Sequence, residues 1–214
     1  EAAAVQDALG LDPEADAGSA IENDTSPSSA STYSVSTARM RVNVATVEVL
    51  SRLAAGPTSF SPPGPSWWHI AAHSEPGTGR LILEDEDGAP QVVSMAAQLF
   101  TCQTPPLGVS ILACAGEQAG RALLSAGASF AVVSSGELRD TTARIFASHF
   151  YRRLQSACAM SASELSGNLK LGESFASQVR LAFGVAREAL QTATNPAVRV
   201  EARKLLLLER GLEE

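Results

Sequence analysis

Two stretches decide how this chain is read: Trp67-Trp68-His69-Ile70-Ala71-Ala72-His73-Ser74 and Gly108-Val109-Ser110-Ile111-Leu112-Ala113-Cys114-Ala115-Gly116. Each is a short apolar run that stops at a reactive side chain. Buried strands of an α/β sheet have this form: four to eight apolar residues, then small residues and a turn. Neighbouring parallel strands would bring His73 and Cys114 side by side at their carboxyl ends. That edge is where open α/β sheets place their sites.

A thiol beside an imidazole is the equipment of nucleophilic catalysis. The thiolate attacks; the imidazole deprotonates it or holds it as an ion pair, then protonates the leaving amine. Taken singly, a cysteine flanked by apolar residues is more often inert core, and a lone histidine more often a structural hydrogen-bonder. Here each residue ends an apolar run, His first and Cys about one βαβ unit later, and that pairing favours chemistry.

The order and spacing resemble the caspase-like clan of cysteine peptidases, in which the His lies roughly 50 residues upstream and the Cys sits in Q-A-C-[RQG]-G. Ala113-Cys114-Ala115-Gly116 keeps the A-C-x-G part. Within the clan the chain is most similar to the CHAT domain, a caspase-like module often joined to tetratricopeptide repeats. The matching features, in order, are His69 to His73, Leu112-Ala113-Cys114, Ala126-Gly127-Ala128 with Phe130 to Val133, Asp140, and Phe150-Tyr151-Arg152-Arg153-Leu154. They cover about residues 45–190. Where the family has Gly after its catalytic His, this chain has Ser74.

The resemblance implies an α/β fold, a three-layer caspase-like sandwich whose mostly parallel central sheet carries helices on both faces. It implies a cysteine endopeptidase with Cys114 as nucleophile and His73 as general base and acid, acting on a protein substrate without a cofactor. It further implies an oxyanion hole built from the backbone N–H groups of Cys114 and Ser74. Serine keeps the N–H but adopts φ > 0 poorly, so a left-handed turn there would distort the hole. CHAT peptidases resemble effectors governed by attached modules, which makes an upstream sensor or repeat module an expected partner. The competing reading, from another class, is a caspase-like scaffold that binds partner proteins and cuts nothing.

Loops that follow the strands should shape the pocket for the residue before the cut bond. They carry Glu75, Glu137 and Asp140 as candidate substrate-binding residues; the acids Glu137 and Asp140 would favour Lys or Arg there, or else Asp140 only caps its helix. His69 precedes His73 by four residues. On one continuous strand the two would share a side about 13 Å apart, too far for a common metal, so His69 reads as structural. His149 reads as ordinary helix packing. The two tryptophans are expected on opposite faces of the sheet.

Composition narrows the remaining choices. The 214 residues, 45% of them apolar, suffice for one sizeable domain with appendages. The net charge of −7 is unevenly spread: residues 1–38 hold seven acids and no Lys or Arg. A basic nucleic-acid footprint is absent. Three cysteines and three histidines, with no C-x-x-C, make neither a disulfide framework nor a zinc site. Asp85 and Asp87 lack the rest of a calcium loop and read as a solvated turn. No apolar run approaches 18 residues, so no membrane span is expected, and reduced thiols suit the cytoplasm. A serine hydrolase is disfavoured because no G-x-S-x-G occurs.

Along the chain, residues 1–37 read as an acidic flexible arm, 38–193 as the caspase-like domain and 194–214 as a C-terminal helix. Expected elements are a strand within 33–44, a helix over 46–55 closed by Gly56-Pro57, a proline-rich loop over 57–65, and a hairpin turning at Asp87-Gly88. Helices are expected from Ser94 to about Cys102, from Glu117 to Ser125, from Asp140 through Leu154 and from Phe175 to Leu190, with a loop over 156–172. The last helix, Ala197 to Arg210, would carry Leu205 to Leu208 as a docking or partner-binding face.

Overall fold

The computed structural model describes Thr46, Glu48 and residues 67–75, 78, 80–85, 87–93, 105–114, 116–164 and 171–211. The acidic arm, the strand expected within 33–44, most of the helix expected over 46–55, the proline-rich loop and the helix expected after Ser94 lie outside the described residues. Within these bounds the fold is mixed α/β, with a mostly parallel sheet. Its elements are β1 (Trp67–Ile70), β2 (His73–Ser74), β3 (Leu81–Glu84), β4 (Pro90–Val93), β5 (Gly108–Ile111), α1 (Glu117–Ser125), β6 (Phe130–Ser134), α2 (Asp140–Glu164), α3 (Leu171–Gln191), α4 (Pro196–Glu201), a 3₁₀ turn (Ala202–Lys204) and β7 (Leu205–Glu209). They divide into two compact units, one holding Arg144–Ala189 and the other Val42–Ala143 with Leu190–Glu214.

The second unit contains a four-stranded sheet of order β1-β5-β6-β7. β1, β5 and β6 run parallel, with Ile70 beside Ile111 and Ile111 beside Val133; β7 is antiparallel to β6. One face carries Ile70, Val109, Ile111, Ala131 and Val133, packed with Leu123 and Leu124 of α1 and with Trp68, Leu206 and Leu208. The opposite face is buried too: Ser110, Phe130, Val132 and Ser134 are all inaccessible or nearly so. Burial on both sides explains why β5 and β6 carry apolar or small residues throughout and no charged ones.

Trp67 and Trp68 do face opposite sides. Trp68 joins the α1-side core. Across the sheet, the Trp67 indole N–H donates to Ser110 Oγ at 2.9 Å. Its ring occupies the space a Cβ at Gly108 would need, so only glycine fits opposite it.

A second, three-stranded sheet of order β2-β3-β4 is antiparallel. Its β3–β4 hairpin turns where expected, with Gly88 at φ 79° and Asp85 Oδ1 accepting the N–H groups of Asp87 and Ala89 at 3.0 and 2.7 Å. Leu81, Leu83 and Val93 are buried, whereas Ile82, Glu84 and Val92, on the other face, are not. That is the alternation of a sheet with one wet face.

The first unit is a pair of helical segments. Phe146 and Phe150 stack at 5.5 Å between ring centroids, and Phe183 of α3 meets Phe146 edge-on at 5.7 Å. The apolar positions expected on both helices, including Phe150, Leu154, Val179, Ala182, Ala186 and Leu190, are buried. α2 continues to Glu164, where a loop was expected from residue 156. Small residues such as Ala157, Ala159 and Ala162 are good helix formers, so small size alone does not mark a loop.

The expected C-terminal helix needs the larger correction. Helix ends at Glu201, and after the 3₁₀ turn Leu205–Glu209 pairs with β6, Leu205 beside Ser134 and Glu209 beside Phe130. Four consecutive leucines have no period that separates helix from buried strand. The edge of β6 decides, because its unpaired backbone groups require a partner.

α1 also sets a packing limit. A Cβ at Gly120 would collide with the Val133 side chain and approach Ala131 and Leu208 at 3.3 and 3.4 Å. Gly120→Val is therefore expected to destabilise the fold by roughly 1–3 kcal/mol through overpacking, read as a lower urea midpoint at unchanged slope.

Candidate active site

The parallel pairing of β1 and β5 brings the two decisive stretches together. Ile70 and Ile111 are register partners, and His73 and Cys114 each follow three residues later, at the same carboxyl edge. The chain paths beyond that edge differ. β5 runs through Leu112 and Ala113 to Cys114, whose free thiol is half-buried. Gly116, at the N-cap of α1, comes two residues later, so Cys114 stands near the electropositive end of that helix. On the other strand, β1 stops at Ile70, and the chain enters the second sheet at His73. A strand over Trp67–Ala72 leading up to His73 was expected; it stops at Ile70, and His69 and His73 belong to different sheets. His69 is half-buried within β1, whereas His73 is exposed. No hydrogen bond joins imidazole and thiol among the described residues.

Ser74 lies in the edge strand β2, beside Leu81 of β3. The Glu75 N–H donates to the Arg80 carbonyl at 2.9 Å. Antiparallel ladders alternate between bonded and non-bonded pairs, so the Ser74–Leu81 pair is a non-bonded one. The Ser74 N–H thus points away from β3. Its backbone is extended, a conformation any residue adopts, so serine in place of glycine brings no left-handed strain here. The side chain faces the core, 7% exposed, and its Oγ has no hydrogen-bond partner among the described residues.

The three acids differ in their surroundings. Glu75 is already engaged: its Oε2 accepts from Thr78 Oγ1 and from Arg80 Nε, each at 2.8 Å. These two donors, Thr78 first, hold its carboxyl below the usual glutamate range. Glu137 and Asp140 are exposed and sit on the segment that leaves β6. β6 pairs with β5 in register, Ile111 beside Val133, so Gly136 is the third residue past the edge, as His73 and Cys114 are on their strands. Asp140 is the first residue of α2 rather than its cap, because the Arg139 carbonyl accepts the Ala143 N–H at 3.0 Å. An acid in the first turn still suits the helix dipole.

Sequence reasoning missed Glu201. It is 7% exposed, and its carboxylate accepts from the Thr142 hydroxyl, the Arg139 N–H at 3.1 Å and, through the ion pair, Arg139 Nε at 3.3 Å. The one available signal was an acid placed among apolar positions on a helix. Among the described residues, no three His, Cys, Asp or Glu side chains converge as a metal site, and no helix is long and apolar enough to cross a membrane.

Two measurements follow from this geometry. Ser74→Ala removes a buried hydroxyl without breaking a hydrogen bond, so it should leave stability unchanged or raise it by about 1 kcal/mol in urea unfolding. For Glu75, the stability contributed by its depressed pKa is fully present above the unfolded-state value and is lost as pH falls through the folded-state value. NMR titration should find its carboxyl midpoint below that of ordinary glutamate, and Arg80→Ala should raise it. Comparison with models of known protein families finds no match for this chain, and comparison with curated proteins finds none either.

Proposed function

We propose that this chain is a caspase-like cysteine endopeptidase domain, with Cys114 as nucleophile, His73 as general base and then acid, and a protein as substrate. The observation that carries the proposal is the parallel, in-register pairing of β1 with β5, which sends both residues out of one sheet edge. In this mechanism the thiolate attacks the scissile carbonyl, and the imidazolium protonates the departing amine. Water then attacks the thioester, His73 taking its proton, and the acid product leaves. The N–H groups of Cys114 and Ser74 stabilise the tetrahedral oxyanion. Support for Ser74 comes from its non-bonded ladder position, which leaves the N–H off the β3 side.

The finer architecture belongs to the same proposal: a three-layer sandwich with helices on both sheet faces. The exposed carboxylates of Glu137 and Asp140 would favour Lys or Arg before the cut bond. Glu75, held by Thr78 and Arg80, contributes to the shape of its loop more than to charge. Control by an attached sensor or repeat module, and a reducing cytoplasmic setting, complete the picture.

Iodoacetamide labelling at neutral pH tests the proposal. Cys114 should alkylate at least about tenfold faster than Cys102 and Cys158, and His73→Ala should remove the difference. Wild-type protein should cleave members of a mixed peptide library, with Cys114→Ala inactive. A Cys114 no faster than the other two, with no cleavage, would leave the non-cleaving scaffold as the better description.

A further inference from the structure

The buried carboxylate of Glu201 has no part in the chemistry above, yet it is aimed at the segment that leaves the central sheet beside Cys114. We infer that Glu201 is a positioning residue for the 135–140 loop, so that the C-terminal segment fixes where the loop presents the acids that discriminate among substrates. The inference rests on the peptidase reading for its consequence, and on the hydrogen bonds alone for its structural part.

The loop has little to hold it internally. Ser134 Oγ donates to the Gly136 carbonyl at 2.6 Å and accepts the Gly136 N–H at 3.4 Å. Three further ties from Ser135 and Glu137 run to the 3₁₀ turn. The Ser135 N–H donates to the Lys204 carbonyl at 2.8 Å, its hydroxyl reaches the same oxygen at 3.2 Å, and Lys204 Nζ donates to the Glu137 carbonyl at 2.6 Å. Glu201 fastens the far end. Its Oε2 takes the Arg139 N–H and the hydroxyl of Thr142, which is wholly buried. Arg139 occupies the N-cap position of α2, and Thr142 the third helical position. A glutamate at that third position often accepts the N-cap N–H. Here the acid comes from a distant part of the chain, which ties the start of α2, and Asp140 with it, to α4.

The chemistry favours a rigid tie. A carboxylate this buried is tolerated when its oxygens are matched by donors, and removing it would strand the Arg139 N–H and the Thr142 hydroxyl. Lys204 and Glu201 together fix the backbone on both sides of Glu137 and Asp140. Lys204 grips a carbonyl, not a carboxylate, so the Glu137 side chain remains exposed and available to a substrate cation.

The test compares Glu201→Ala, Glu201→Gln and Thr142→Val with wild type by amide hydrogen exchange and peptide kinetics. Glu201→Ala should speed exchange at the Arg139 amide by about tenfold or more. It should raise KM about tenfold for a peptide with Lys before the cut bond, with kcat and Cys114 alkylation within about twofold of wild type. Glu201→Gln, whose amide oxygen still accepts both donors, should restore most of the exchange protection and most of the discrimination between Lys and Gln peptides. Unchanged exchange at Arg139 in a folded Glu201→Ala protein would overturn the inference. So would equal KM increases for Lys and Gln peptides. If Glu201→Ala does not fold, Thr142→Val decides by the same exchange readout. If wild type cleaves nothing and Cys114 is slow, the peptidase reading falls, while the exchange data still decide whether Glu201 positions the loop.

Discussion

The pairing of Trp67 with Gly108 is the contact on which the rest of the second unit depends. The indole lies where any side chain at residue 108 would have to be, and its N–H reaches Ser110 Oγ at 2.9 Å. Sliding β1 by one residue along β5 would push the ring against Val109 and remove the hydroxyl. Strands buried on both faces lack the polar alternation that usually penalises such a slip. A large ring over a glycine, with one directed hydrogen bond, supplies the missing penalty. From that lock follow Ile70 beside Ile111 and then Val133, and with them the row in which the chain leaves the sheet.

Beyond that row, three strands continue in three ways. One passes through small residues into a helix N-terminus, which keeps Cys114 within a tight connection where Gly116 approaches the Ile111 carbonyl. One crosses into a second sheet, where a brief ladder leaves His73 exposed and Ser74 buried on alternate sides. The third enters a loop that borrows its hydrogen bonds from the C-terminal segment. Reactive groups near an edge need such supports, because a strand end has no ladder of its own to orient them.

Much of this architecture was legible in the residues. The hairpin followed from Asp87-Gly88, the end of α1 from Gly127, whose φ is 118°, and the helical cores from the spacing of Phe146, Phe150 and Leu154 or of Val179, Phe183 and Ala186. The break after Ile70 was not legible. Ala71-Ala72 continues the apolar pattern, and only the ladder with β3 separates His73 from β1. Nor was Glu201 legible as a buried group, since its donors, Arg139 and Thr142, lie about 60 residues away in sequence and no local pattern announces them.

What the amino-acid order determined by itself was local: which runs are apolar enough to be buried, where glycine and proline interrupt them, and that a histidine and a cysteine each stand just past such a run. These are consequences of side-chain burial and backbone sterics, which act within a few residues. The tertiary structure alone decided that Leu205 to Leu208 form a strand, that Ser74 has extended backbone, and that an acid from the end of the chain holds the loop after β6. The strand and the anchored loop depend on hydrogen-bonding partners far away in sequence, and Ser74 on a short ladder with β3; an unsatisfied backbone group can override a weak local preference.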